Sequence, residues 1–188
     1  VTRYCSSSLH TTRMAFHAIK AGEGDVFVSA GVESVSHLAR GSSDFIPGED
    51  LTNPQFAEAI ARTERFAKGG STWRDPREDG ELPDVYVAMG QTAENVAQLT
   101  GTTRRDQDEY AAASQNRAEA AIKSGFFARE ITPVTLGDGT VVSSDDGPRP
   151  GVTLEALQGL NPVFRENGSV TAGNCCPLND GASGVIVM

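Results

Sequence analysis

Cys5 stands where the chain enters a helix, and Ser6, Ser7 and Ser8 follow it, each able to cap a first turn. The first turn of a helix leaves N–H groups unpaired at the positive end of its dipole, and both favour a thiolate over a thiol. The thiolate is the nucleophilic form of cysteine, so this position suits attack on an electrophilic carbon. The competing reading treats Cys5 as one more small buried apolar residue, as most free cysteines are.

The elements that must position Cys5 follow from the spacing around it. Leu9, Thr12, Phe16 and Ile19 recur at helical spacing, Ala15 and Ala18 widen the stripe, and Gly22 and Gly24 end the helix. Asp25 to Glu33 is a short, mostly apolar run, predicted as a buried strand of a parallel sheet. Strand end, reactive turn, helix and strand make a βαβ crossover, which points to the α/β class.

From His37 to about Gly80 polar residues, Gly and Pro dominate. There Asn53-Pro54 opens a helix with Phe56, Ala59, Ile60 and Thr63 on one modest face. Arg62, Arg65, Lys68, Arg74 and Arg77 read as a solvated surface, with subunit contact or ligand steering as the sharper alternative. Thr92 is expected to cap a helix whose Ala93, Val96 and Ala97 face inward. Thr103 and Asp106 form a capping box for the next helix, whose inward face is expected at Tyr110, Ala113, Ser114, Arg117, Ala118 and Ala121. Gly137-Asp138-Gly139 signals a hairpin between 131–136 and 140–143. Arg149, in a Pro/Gly-stiffened loop, is either a local charge partner or an anion-binding arginine. Thr153 caps a short helix, Asn167-Gly168 turns the chain, and 184–188 reads as a buried strand.

Composition narrows the partners. A net charge of −9 argues against nucleic acid, while leaving room for a local basic pocket. No apolar run is long enough for a membrane span. Three cysteines, two of them adjacent, make no disulfide framework and favour a reducing, cytoplasmic setting. His10, His17 and His37 do not combine with cysteine at metal-ligand spacing. The opening at Val1 without an initiator Met and the closing apolar run read as the middle of a longer protein.

Three motifs carry a family resemblance. Cys5-Ser6-Ser7-Ser8-Leu9 with Gly31-Val32-Glu33-Ser34-Val35-Ser36 comes first, followed by Met89-Gly90-Gln91-Thr92-Ala93-Glu94-Asn95. Last come Thr171-Ala172-Gly173-Asn174 and Asn179-Asp180-Gly181-Ala182. In order and spacing the chain resembles thiolases over essentially its whole length. The resemblance implies a thiolase-like fold: part of an N-terminal half, layered α/β with a parallel-sheet core, and an inserted, mostly helical loop domain. The core would be residues 1–36 and 169–188, and the insertion 37–168 would bind CoA and make oligomer contacts.

The reaction implied is Claisen condensation of acyl-CoA molecules or thiolytic cleavage of a 3-oxoacyl-CoA. Cys5 would carry the acyl group as a thioester, and its backbone N–H would serve as one oxyanion donor. Arg149 matches the arginine placed against the adenine-phosphate end of CoA. Met89 and Phe164 match apolar contacts to it, and Ala172 and Cys176 line the pantetheine arm. Thiolases often carry Ser where Cys176 stands, a swap that keeps size but weakens a hydrogen bond. Ala88 stands where many biosynthetic thiolases have His. CoA is implied as a co-substrate with no permanently bound cofactor, in a homodimer or homotetramer. The family's general-base His, second catalytic Cys and water-holding Asn belong to its other half; no Gly-His-Pro, Asn-Glu-Ala-Phe or Cys-x-Gly string occurs here. Two other readings remain: a condensing enzyme of the β-ketoacyl-synthase type, and a non-catalytic thiolase-like CoA-binding subunit.

Overall fold

The computed structural model describes residues 1–37, 52–69 and 72–188. The chain divides into one unit of Val1–Ser43 with Leu178–Met188 and a second of Asp44–Pro177. The parts of the irregular stretch at 38–51 and 70–71 lie outside the described residues.

In the first unit a 3-10 turn, Tyr4–Ser6, leads into helix α1, Ser7–Ala21. Gly22 stops the helix with a left-handed φ of 77°, a conformation that costs glycine little. Strand β1 is Phe27–Glu33, and the last strand of the chain, β4, is Gly181–Val187. The two pair antiparallel, Phe27 opposite Val187 and Glu33 opposite Gly181, so the parallel pairing expected of this run is not what the chain forms. An apolar run reports burial preference and carries no information on the direction of its partner. Helix α1 covers one face of the pair: Thr11 and Thr12 both hydrogen-bond the Ser29 hydroxyl, at 2.8 and 3.0 Å. The other face carries Val28, Val32 and Ile186, each 64% or more exposed.

The second unit is mainly helical. Asn53 caps a 3-10 turn with Pro54 in first position, and α2 follows as Ala57–Ala67. Arg62 is only 9% exposed, contrary to its reading as a solvated residue. Its guanidinium donates to Asp84 at 2.8 Å, to the Leu82 carbonyl at 2.7 Å and to Glu81, and a guanidinium can be buried when its donors are spent in this way.

Helix α3 is Met89–Thr100 and α4 is Arg104–Lys123, the latter opened by the expected Thr103/Asp106 capping box. Both helices turn unexpected faces inward. Gly90, Gln91, Glu94 and Asn95 are the buried residues of α3, while Val96 is 58% exposed. Thr92 lies inside the first turn, after Ala88 at the N-cap, and donates to the Met89 carbonyl. On α4 the buried residues are Asp108 and Ala112, and Tyr110 faces out. The hairpin forms as β2, Val134–Thr135, with β3, Val141–Val142, and Thr153 caps α5, Leu154–Gln158. Residues 169–174 are hydrogen-bonded to α3 and α4, and the first unit takes up the chain again at Leu178.

Candidate active site

The candidate nucleophile lies in the first unit. Tyr4, the residue before it, has φ 49°, a left-handed conformation uncommon outside glycine, and is 91% exposed. A bulky residue held there costs free energy that nearby contacts must offset. Ser7 supplies them: its hydroxyl accepts the Arg3 N–H at 2.8 Å and donates to the Tyr4 carbonyl at 2.7 Å. Ser6, at the N-cap of α1, makes no side-chain capping bond, so the serine run stitches the turn through Ser7 instead of capping through Ser6. Ser8 lies over Gly31, where a Cβ would come within 2.9 Å of the Ser8 hydroxyl, so a glycine there lets α1 sit close on β1.

The result is an exposed Cys5 thiol on a pinned turn at the head of α1. The buried reading of this cysteine is set aside. At the far end of β1, the Ser36 N–H and hydroxyl donate to the two Asp180 carboxylate oxygens at 2.8 and 2.6 Å, joining two of the motifs named above.

The other candidates lie in the second unit. Met89 begins α3 and is exposed. The half-buried Phe164 ring lies against the next residue, Gly90, where any Cβ would overlap it, and Gln91 donates its side-chain amide to the Phe164 carbonyl. The first turn of α3 therefore fixes Phe164. Ala172 and Cys176 are exposed and lie on one segment with the buried Val170 and Thr171.

Two buried carboxylates hold that segment. Glu94 accepts from the Ser169 N–H at 2.8 and 3.0 Å, the Val170 N–H at 2.8 Å and the Ser169 hydroxyl at 2.9 Å. Asp108 accepts from the Asn174 amide at 3.0 Å, and its other oxygen takes Arg104 at 2.7 Å. Asn174 also bonds within its own segment, to the Ser169 carbonyl and the Thr171 N–H. Arg165 bridges Gln91 and Asn95; burial pushes its pKa down, and the nearby charge of Glu94 opposes that shift.

Arg149 is exposed on a loop docked to α4. Its N–H donates to Gln115 at 2.9 Å, and the Gly151 N–H donates to Glu119 at 3.1 Å. Glu119 is held below the usual carboxylate range, first by Lys123 and then by that Gly151 N–H. Among the described residues the Arg149 guanidinium makes no ion pair, and the residue is exposed.

The sequence reading missed Glu94, Asp108 and Arg165 as site-forming residues. A signal was present, since Gln91, Glu94 and Asn95 fall at i, i+3 and i+4 and so share one helix face.

The family model for the thiolase N-terminal domain matches residues 1–188. The beta-ketoadipyl-CoA thiolase of Acinetobacter baylyi is 40% identical over 195 residues, an alignment taking in 100% of this chain and 45% of that protein. The dimeric peroxisomal thiolase of Saccharomyces cerevisiae is 34% identical with a TM-score of 0.67, covering 99% of this chain and 42% of that one. Human mitochondrial 3-ketoacyl-CoA thiolase in complex with CoA is 30% identical with a TM-score of 0.67, covering 99% and 43%. The chain thus spans less than half the length of these relatives.

Proposed function

The chain belongs to the thiolase family, and on that premise we propose that it supplies the nucleophile and the CoA-binding part of an acyltransferase that exchanges acyl groups between CoA thioesters. The observation that carries this reading is the exposed Cys5 thiol, pinned at the head of α1 by the Ser7 hydroxyl. In the thiolytic direction the Cys5 thiolate attacks the 3-oxo carbon of a 3-oxoacyl-CoA and forms a C–S bond. The bond between the 2- and 3-carbons then breaks, and its electron pair leaves as the enolate of acetyl-CoA, which takes a proton at carbon. A CoA thiolate next attacks the acyl-Cys5 thioester, releasing acyl-CoA and restoring Cys5. Splitting the transfer this way replaces one difficult step by two easier ones. The Cys5 N–H, at the start of α1, is assigned as one oxyanion donor.

In the second unit Arg149 is assigned to the phosphate end of CoA, Met89 and Phe164 to apolar contacts with it, and Ala172 and Cys176 to the pantetheine arm. We also assign the expected insertion, residues 37–168, to subunit contacts within a homodimer or homotetramer. The relative from yeast is described as dimeric, and the human relative as a complex with CoA, which supports both assignments. Three cysteines, an odd number with two adjacent, make no disulfide framework and suit a reducing compartment, so we place the protein in the cytoplasm. The base that removes or returns protons is placed outside these residues: His10 and His17 lie on α1, roughly 7 and 18 Å of axial rise from Cys5.

The test is acylation of the complete protein by acetyl-CoA, mapped by peptide mass spectrometry. Acetyl label on Cys5, lost together with acetoacetyl-CoA cleavage in Cys5→Ala, is the expected result. Label confined to Cys175 or Cys176, or cleavage that survives in Cys5→Ala, would overturn the proposal.

A further inference from the structure

We infer that Glu94 is a positioning residue for CoA, the template on which the 169–174 segment is laid so that Ala172 meets the pantetheine arm; this rests on the function proposed above. Glu94 is 4% exposed, and both its oxygens are used. One oxygen accepts the Ser169 and Val170 N–H groups, each at 2.8 Å, and the other accepts the Ser169 N–H at 3.0 Å and hydroxyl at 2.9 Å. Every partner is a donor, so the site requires an acceptor-only group. A carboxylate is the side chain that meets this demand with two oxygens.

The backbone is shaped to the same end. A Cβ at Gly168 would run into the Glu94 carboxylate, so glycine there is what lets the chain come down onto it. A Cβ at Gly173 would come within 2.6 Å of Leu157 and of Leu160, so the chain also passes close against α5 and the residues after it. Between these glycines Val170 and Thr171 turn inward and Ala172 turns out. Asn174 closes the segment, accepting the Thr171 N–H at 2.8 Å and donating to the Ser169 carbonyl at 2.9 Å. Ala172 thus sits between an anchor on α3 and an anchor on α4, and it has no side-chain bonds of its own to hold it. Its position is set by Glu94 on one side and by Asp108, through Asn174, on the other.

A role confined to positioning CoA separates from a general structural role by what fails. Glu94→Gln keeps the shape but turns an NH2 donor toward the Ser169 and Val170 donors, so the segment shifts. The complete protein is assayed with acetyl-CoA and with S-acetyl-N-acetylcysteamine, a truncated donor that lacks most of the arm and the nucleotide. The expected result is a rise in KM for acetyl-CoA of roughly tenfold or more, the scale of a lost buried charge-assisted hydrogen bond. KM for the truncated donor and kcat should change far less.

Should Glu94→Gln fail to fold, Ser169→Ala removes only the hydroxyl bond, and a smaller rise confined to the acetyl-CoA KM is expected. Equal losses with both donors, or an unchanged acetyl-CoA KM in either folded variant, overturn the positioning role. A parent protein that turns over neither donor overturns the acyltransfer reading and this inference with it. A parent that is active while Glu94→Gln matches it overturns the inference alone.

Discussion

The Cys5 thiol is reached from solvent because Tyr4 turns the chain sharply before it, and Ser7 bonds both sides of that turn. Arg149 poses a similar question of presentation in the second unit. Its backbone is tied to Gln115, and among the described residues its guanidinium makes no ion pair, so in the proposed CoA role it would meet phosphate without first breaking one. Arg149→Ala should therefore weaken CoA binding by about 1–3 kcal/mol, the range for a charge-assisted hydrogen bond. Titration calorimetry of the complete protein at rising ionic strength checks this, and the deficit should shrink with salt as the lost attraction becomes screened. A parent protein that binds CoA and dephospho-CoA equally well would leave Arg149 without this role.

Helix α3 works as a clamp whose buried side is polar. Gln91, Glu94 and Asn95 each hold a residue of the 164–170 stretch, and Gly90 leaves space for the Phe164 ring. Gly90→Ala is expected to destabilise the protein by about 1–3 kcal/mol, because the added methyl overpacks against that ring. Helix propensity alone would make the same change favourable by up to about 1 kcal/mol, so the sign of the effect is diagnostic. Urea denaturation measures it, and Phe164→Ala in the same background should recover part of the loss, since the two sites share one space. A stabilised Gly90→Ala protein would show that the ring moves aside freely.

Across the whole chain, buried polar groups outnumber buried apolar ones among the described residues, and several large apolar side chains face out. The outer face of the β1–β4 pair, with Val28, Val32 and Ile186, is the clearest case. A flat apolar face on two strands with open edges invites association with another chain. The 188-residue chain on its own should self-associate as its concentration rises, and Val32→Lys should reduce this at unchanged helix content. Light scattering alongside circular dichroism checks it; a monodisperse parent at high concentration would show that the face is covered in solution.

What the sequence determined by itself is local. The left-handed stop at Gly22, the Asn53-Pro54 cap, the Thr103/Asp106 box and the Thr153 cap all form as expected, because each bond closes within about four residues of chain. The ordered motifs likewise led to the thiolase family, which the whole-length family match shows. Three things were decided only in the tertiary structure: the inward faces of α3 and α4, the burial of Arg62 and the antiparallel pairing of β1. An apolar residue is expected inside because an unpaired charge is costly to desolvate, and that expectation inverts once partners arrive. Those partners lie far along the chain: Glu94 is satisfied from 75 residues away, and Ser36 meets Asp180 across 144. No short window of sequence holds both ends of such a bond, so only the folded chain shows which polar groups it can afford to bury.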